Sequence, residues 1–221
     1  MTQTRHLKQI VRAQILEALG VVSRRTSRKT LRVFDFDDTL VKTNSQVGVT
    51  EYDVDSGKKL GQTYWISPGR YSTFRTDTVP HHPEIRYEFD YRQFAEVRDP
   101  KIIDFTFRIL QAVVSKLRED THGTPAVILT ARGHDARESI KRFLQDQGIE
   151  IPVVTLNDSL PAAKAEWIKK AMLTGGIPHV EFFDDSPLNV KAVSVLNGDK
   201  ELREMFRGDL LVRSRLVSAE K

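Results

Sequence analysis

The chain has 221 residues, 39% hydrophobic and 8% aromatic, enough for one α/β domain with a modest insertion and too few for a second large domain. Ordinary glycine and proline usage and the lack of a long apolar run exclude collagen-like, low-complexity and helical membrane-spanning classes. With no cysteine there is no disulfide framework, thiolate zinc site or cysteine nucleophile, and nothing near the N-terminus resembles a signal-peptide core, so a soluble protein in a reducing, cytoplasmic setting is expected.

Residues 1–30 carry seven basic side chains against one acid, Glu17, while the whole chain is only +4; the remainder is therefore net acidic. Leu7, Ile10, Val11, Ile15, Ala18 and Leu19 recur at helical spacing ahead of Gly20. This predicts an amphipathic helix over residues 4–19, followed by a Ser/Thr/Arg-rich linker at 23–30. A basic arm of this kind is either a solvated segment or a contact for nucleic acid.

From residue 31 onward, short apolar runs alternate with helical patterns. This is the signature of βαβ units and a central parallel sheet flanked by helices. Strands are predicted at residues 31–36, 126–130, 153–156 and 180–183. Helices are predicted from Asp99-Pro100 through Leu117, over 135–147 before Gly148, and over 161–173 before Gly175-Gly176. Residues 43–98 break the rhythm and hold half of the aromatic side chains. A hairpin of residues 47–53 and 60–66 around Asp55-Ser56-Gly57 marks this insertion as a small, β-rich cap. The organisation expected is thus an arm over 1–30 and one α/β domain over 31–221.

The chemistry-bearing residues fall at the carboxyl ends of predicted strands, where open parallel sheets bind ligands. Val33-Phe34-Asp35-Phe36-Asp37-Asp38-Thr39-Leu40 delivers three acids and a threonine, and period-two alternation continued past the strand aims Asp35 and Asp37 to the same side. Leu129-Thr130-Ala131-Arg132 closes a second strand with a hydroxyl. Phe183-Asp184-Asp185-Ser186 closes another with paired acids. Lys164 lies in the first turn of the intervening helix, nearer the sheet edge than its competitors Lys169 and Lys170. His81 and His82, beside Pro80 and Pro83, read as loop residues.

In the order Asp-x-Asp, Thr, Lys, Asp-Asp, these four pieces resemble the motifs of the haloacid dehalogenase superfamily of phosphatases over roughly residues 31–195. Receiver domains use similar residues, but there the acid pair follows the first strand and the phosphorylated Asp a later one. The resemblance implies a Rossmann-like core and an aspartyl-phosphate mechanism. By that resemblance Asp35 would be the nucleophile and Asp37 the general acid and base. Mg2+ would be held by the Asp35 carboxylate, the Asp37 carbonyl and an acid of the last motif, with Asp185 favoured over Asp184. Thr130 and Lys164 receive the transferring phosphoryl group, and Ala131 and Arg132 complete that loop, Arg132 either contacting substrate or capping a helix. A cation is needed because each carboxylate–phosphate charge pair at about 4 Å repels by about 4 kcal/mol at an effective dielectric near 20.

The second and last motifs are also similar to those of polynucleotide 3′-phosphatase and RNA-repair-associated domains, which implies a nucleotide or nucleic-acid phosphate end as substrate. Aromatics interleaved with Arg70, Arg75, Arg86 and Arg92 in the cap suit base stacking and phosphate contact, or equally a small cap core. Two other readings stay open: a nucleic-acid or protein-binding module using the basic arm, and a phosphotransferase that passes the phosphoryl group to another hydroxyl.

Overall fold

The computed structural model describes residues 30–119 and 125–218. The helix expected over 4–19 and the basic arm lie outside them. In chain order, β1 (Thr30–Phe34) leads into β2 (Val41–Lys42), and then into a cap built from β3 (Val47–Asp53), β4 (Tyr64–Ile66), α1 (Pro68–Thr73) and β5 (Ile85–Asp90). The chain returns through β6 (Lys101–Ile102) and α2 (Asp104–Glu119) to β7 (Ala126–Thr130), α3 (Arg137–Asp146) and β8 (Val153–Thr155). Next come α4 (Pro161–Gly175), β9 (His179–Asp184), α5 (Pro187–Ser194), α6 (Lys200–Phe206) and β10 (Leu211–Leu216).

Five strands form one parallel sheet in the order β10-β9-β1-β7-β8. The chain steps outward from β1 to β7 and β8, then jumps back across β1 to β9 and β10. Right-handed crossovers place helices on opposite faces when the direction of travel reverses. Accordingly, α2 and α3 cover one face, with Phe107, Leu110, Ile140 and Leu144 packed on Phe34, Ile128 and Phe183. Helices α4, α5 and α6 cover the other, where Trp167, Ile168, Met172, Val193 and Leu202 meet Leu31, Val33, Leu129 and Phe182. Every residue of β7 and β8 is buried, as expected for strands covered on both sides. The sheet therefore has its switch point between β1 and β9, and a crevice opens there at the strands' carboxyl ends.

The structure moves two helix starts. Residues 101 and 102 pair with 42 and 41, and the Ile103 amide donates to the Leu40 carbonyl. This pairing delays α2 to Asp104, and Asp99 stands in a left-handed turn (φ 44°) rather than at the helix start. Residues 134–136 make a 3-10 turn before α3 begins at Arg137. The helix α4 ends as expected, with Gly176 in the left-handed region at φ 60°.

In the cap, β3 is central, with β4 and β5 antiparallel on either side. The expected hairpin is present, but its second arm is interrupted. Residues 64–66 pair with 49–47, whereas Lys59 makes a separate bridge to Tyr52. Val47, Val49, Ile66, Tyr71 and Phe94 form the cap core, with Phe74, Tyr87 and Phe89 packed on it. Most of the insertion's aromatic side chains are therefore structural. Among the described residues, no helix is long and apolar enough to cross a membrane.

Candidate active site

A pocket of about 800 Å3 opens at the switch point, between the sheet edge and the cap. It is lined by Asp35, Asp37 and Asp38 beyond β1, by Thr130–Asp135 beyond β7, by Asn157–Leu160 beyond β8, by Lys164 of α4 and by Asp185, Ser186 and Asn189 beyond β9. The four motif segments, up to 150 residues apart in sequence, meet because all of them leave the same edge of one parallel sheet.

Asp35 is buried, and its backbone N–H continues the ladder to the Phe183 carbonyl at 2.9 Å. The Lys164 ammonium is also buried and bridges two carboxylates, at 2.8 Å from Asp35 Oδ1 and 2.7 Å from Asp184 Oδ2. Burial alone would lower the lysine's pKa, but the charges of Asp35 and Asp184 outweigh it and hold the ammonium protonated. Lys169 pairs instead with Asp199 and Glu201, and Lys170 with Glu166. Of the three candidate lysines, only Lys164 lines the pocket.

The paired acids after β9 divide their tasks. Asp184 is fully buried. Its Oδ1 accepts from the Ser186 amide and Asn189 Nδ2, and its Oδ2 from Lys164 Nζ and Asn189 Nδ2, so its lone pairs are occupied by donors from the chain. Asp185 is less enclosed, with one long contact from Thr39 Oγ1 at 3.4 Å. The carboxylates of Asp35, Asp184 and Asp185 place oxygens within 4.8 Å of one another, a grouping that could hold a metal ion.

Electrostatics point the same way. Burial raises the Asp35 pKa well above the usual carboxylate range, with Asp184 and Asp185 adding to the rise and Lys164 opposing it. Asp185 is pushed up to about 7 by burial and by the charges of Asp184 and Asp38. Asp38 is raised by burial and by Asp37. Three carboxylates thus crowd around one ammonium, with Asp38 close behind Asp185, and the excess charge is relieved either by protons or by a cation. An all-oxygen donor set of this kind suits a hard divalent ion, and Asp35 and Asp185 are the two with lone pairs to spare. No hydrogen bond among the described residues is directed at the Asp37 carbonyl oxygen.

Asp37 is held differently. Its Oδ1 accepts from Arg132 Nη2 at 2.7 Å and from Thr43 Oγ1 at 3.1 Å, and its Oδ2 from Arg132 Nε at 2.8 Å. The remaining Arg132 donors go to the Phe94 and Glu96 carbonyls and to Thr43 Oγ1. All five N–H groups of this buried guanidinium are therefore satisfied within the chain. Arg132 neither caps a helix nor offers a donor to substrate; it fixes Asp37 and ties residues 94–96 of the cap to the sheet edge. Thr130 Oγ1 accepts from the Arg132 amide at 3.3 Å, leaving its own proton for a pocket ligand. Ala131 lines the pocket beside it.

His134, Asn157–Leu160, Asn189, Tyr71, Arg75 and Tyr91 also line or buttress the pocket. The same strand-end rule that found Thr130 points to His134 and Asn157; the cap residues carry no comparable local signal. His81 and His82 lie outside the pocket lining, and His82 pairs with Glu84. Of the four cap arginines, Arg86 pairs with Glu88, Arg92 pairs with Asp90, and Arg75 alone lines the pocket.

No protein-family model, curated protein or solved structure matches this chain. Its functional reading therefore comes from the chemistry of the site.

Proposed function

We propose that this chain is a divalent-metal-dependent phosphomonoesterase of the haloacid dehalogenase type, with Asp35 as nucleophile. One observation carries the reading: Asp35, at the carboxyl end of a central parallel strand, lies against a buried ammonium and a second carboxylate cluster on the floor of a ligand-sized pocket. A structural ion pair needs no pocket, and a binding surface needs no buried, crowded acids.

In the reaction, an Asp35 carboxylate oxygen forms a bond to phosphorus as the bond to the leaving oxygen breaks. Asp37 Oδ2 keeps one lone pair outside its contact with Arg132 Nε. A proton carried there passes to the leaving oxygen, and the resulting carboxylate later takes a proton from the water that hydrolyses the aspartyl-phosphate. Lys164 Nζ and the Thr130 hydroxyl stabilise charge on the phosphoryl oxygens. Asp35, Asp185 and the Asp37 carbonyl would hold a divalent cation such as Mg2+, which when bound would supply Lewis-acid neutralisation of the phosphate's charge. Asp184 holds Lys164 in place.

The test is release of inorganic phosphate, with and without Mg2+, from an aryl phosphate, a nucleotide panel and 3′- or 5′-phosphorylated oligonucleotides. The expected result is metal-dependent release abolished by Asp35→Asn. A folded protein that binds Mg2+ yet releases no phosphate from any of these overturns the reading. Transfer to an added alcohol in preference to water identifies a phosphotransferase.

A further inference from the structure

The phosphoryl-transfer groups occupy one end of the pocket, and about 800 Å3 is far more space than a phosphate needs; it is the size of a site for a whole small organic ligand. Its far wall belongs to the cap and carries Tyr71, Arg75 and Tyr91. Among the described residues, three cations line the pocket besides His134. Lys164 is neutralised by Asp35 and Asp184, and Arg132 by Asp37. Arg75 has no carboxylate within ion-pair distance among the described residues; its hydrogen bond to Tyr71 comes first among the groups acting on it, with Tyr91 and the more distant Asp158 behind.

The hydrogen bonds of this wall form a chain. Arg75 Nη1 donates to Tyr71 Oη at 3.3 Å, and Tyr71 Oη lies 2.5 Å from Tyr91 Oη. Either hydroxyl can donate in that contact, so the pair uses one of its two O–H protons and keeps the other. On Tyr91, which is 43% exposed, that proton is available to a ligand. The wall thus offers the remaining N–H groups of a guanidinium and one O–H polarised by the cation behind it. Each of these groups can donate. A phosphate's oxygens are acceptors only, and a planar guanidinium matches them in pairs.

We propose that Arg75, Tyr71 and Tyr91 form a second-phosphate subsite, so that the preferred substrate carries another phosphate besides the one presented to Asp35. This rests on the phosphomonoesterase reading and narrows it. The second phosphate is either the free group of a bisphosphate or the internal diester of a nucleic-acid end.

The experiment compares kcat/KM for a nucleoside 3′-monophosphate, a nucleoside 3′,5′-bisphosphate and a dinucleotide bearing a terminal 3′-phosphate, in the wild type, Arg75→Gln and Tyr91→Phe. The wild type should favour both two-phosphate substrates. Arg75→Gln should shrink that preference by about 10- to 100-fold, the loss expected for charge-assisted hydrogen bonds, and Tyr91→Phe by about 3- to 10-fold. A stronger preference for the bisphosphate identifies a free second phosphate, and one for the dinucleotide identifies a nucleic-acid end. Equal values for all three wild-type substrates, or an unchanged preference in both variants, overturns the subsite while leaving the phosphatase intact. Absence of release from every substrate overturns the phosphatase reading and the subsite with it.

Discussion

Arg132 grips Asp37 through two parallel N–H···O contacts, Nε to Oδ2 at 2.8 Å and Nη2 to Oδ1 at 2.7 Å, while its third nitrogen holds the carbonyls of Phe94 and Glu96. One side chain thereby links the position of Asp37 to the position of the cap. Its ring contacts, 4.9 Å over Phe94 and 5.5 Å over Phe36, hold the guanidinium plane in the orientation that this fork requires.

Replacing that fork with a point charge should act on proton transfer. Arg132→Lys is expected to slow esters with poor, alkyl leaving groups by about 10- to 100-fold more than aryl phosphates, because only the former need full protonation as the bond breaks. A leaving-group series measured on wild type and variant checks this. An equal loss across the series would mean that Arg132 contacts the phosphoryl group directly.

Lys164 bridges Asp35 and Asp184, the one ammonium to do so among the described residues. Lys164→Met should abolish turnover and cost about 3–5 kcal/mol of stability, the range for breaking a buried pair from one side. Thermal melts should show that added Mg2+ restores more stability to the variant than it adds to wild type, since the ion takes over part of the lost neutralisation.

Asp185 links stability to pH. Its folded pKa is raised to about 7, by burial first and then by Asp184 and Asp38, so the folded state binds the proton more tightly than the unfolded chain. That favourable contribution is complete below about 3.8, declines as pH rises, and is gone above about 7. In metal-free protein, Asp185→Asn should therefore gain stability relative to wild type between pH 4 and 7 and hold a constant difference above it. Urea unfolding across that range measures the difference, and the variant should also lose most of its Mg2+ response.

Away from the site, Asp199 caps α6 by accepting from the Leu202 amide at 3.1 Å, and Lys169 lowers its pKa through a hydrogen bond at 2.8 Å. Asp199→Ala should cost about 1 kcal/mol at neutral pH. A depressed pKa contributes above the unfolded value and is lost as pH falls through the folded one. The difference between wild type and variant should therefore narrow below about pH 3.8.

Local physics made much of this protein readable from its residues. β7, β8 and β9 follow from largely uncharged, β-branched or aromatic runs, and α4 from a helical stretch closed by Gly176. The strand-end rule placed Asp35, Thr130 and Asp185 in one crevice because a parallel sheet sends all its carboxyl ends to the same edge. β5 and β10 are not among the strands that the sequence predicts. Arg86 and Glu88 interrupt the first and Arg213 and Arg215 the second, as polar residues do on edge strands with one face open to water.

Tertiary structure alone decided the rest. Whether Arg132 meets substrate or Asp37 depends on partners 36 to 95 residues away, and no local pattern encodes such a distance. The choice among three lysines, the division of tasks between Asp184 and Asp185, and the lack of a carboxylate within ion-pair distance of Arg75 among the described residues have the same origin. A charged side chain's role is set by the groups that surround it once water is excluded, and those groups assemble only when the sheet, its helices and the cap have packed.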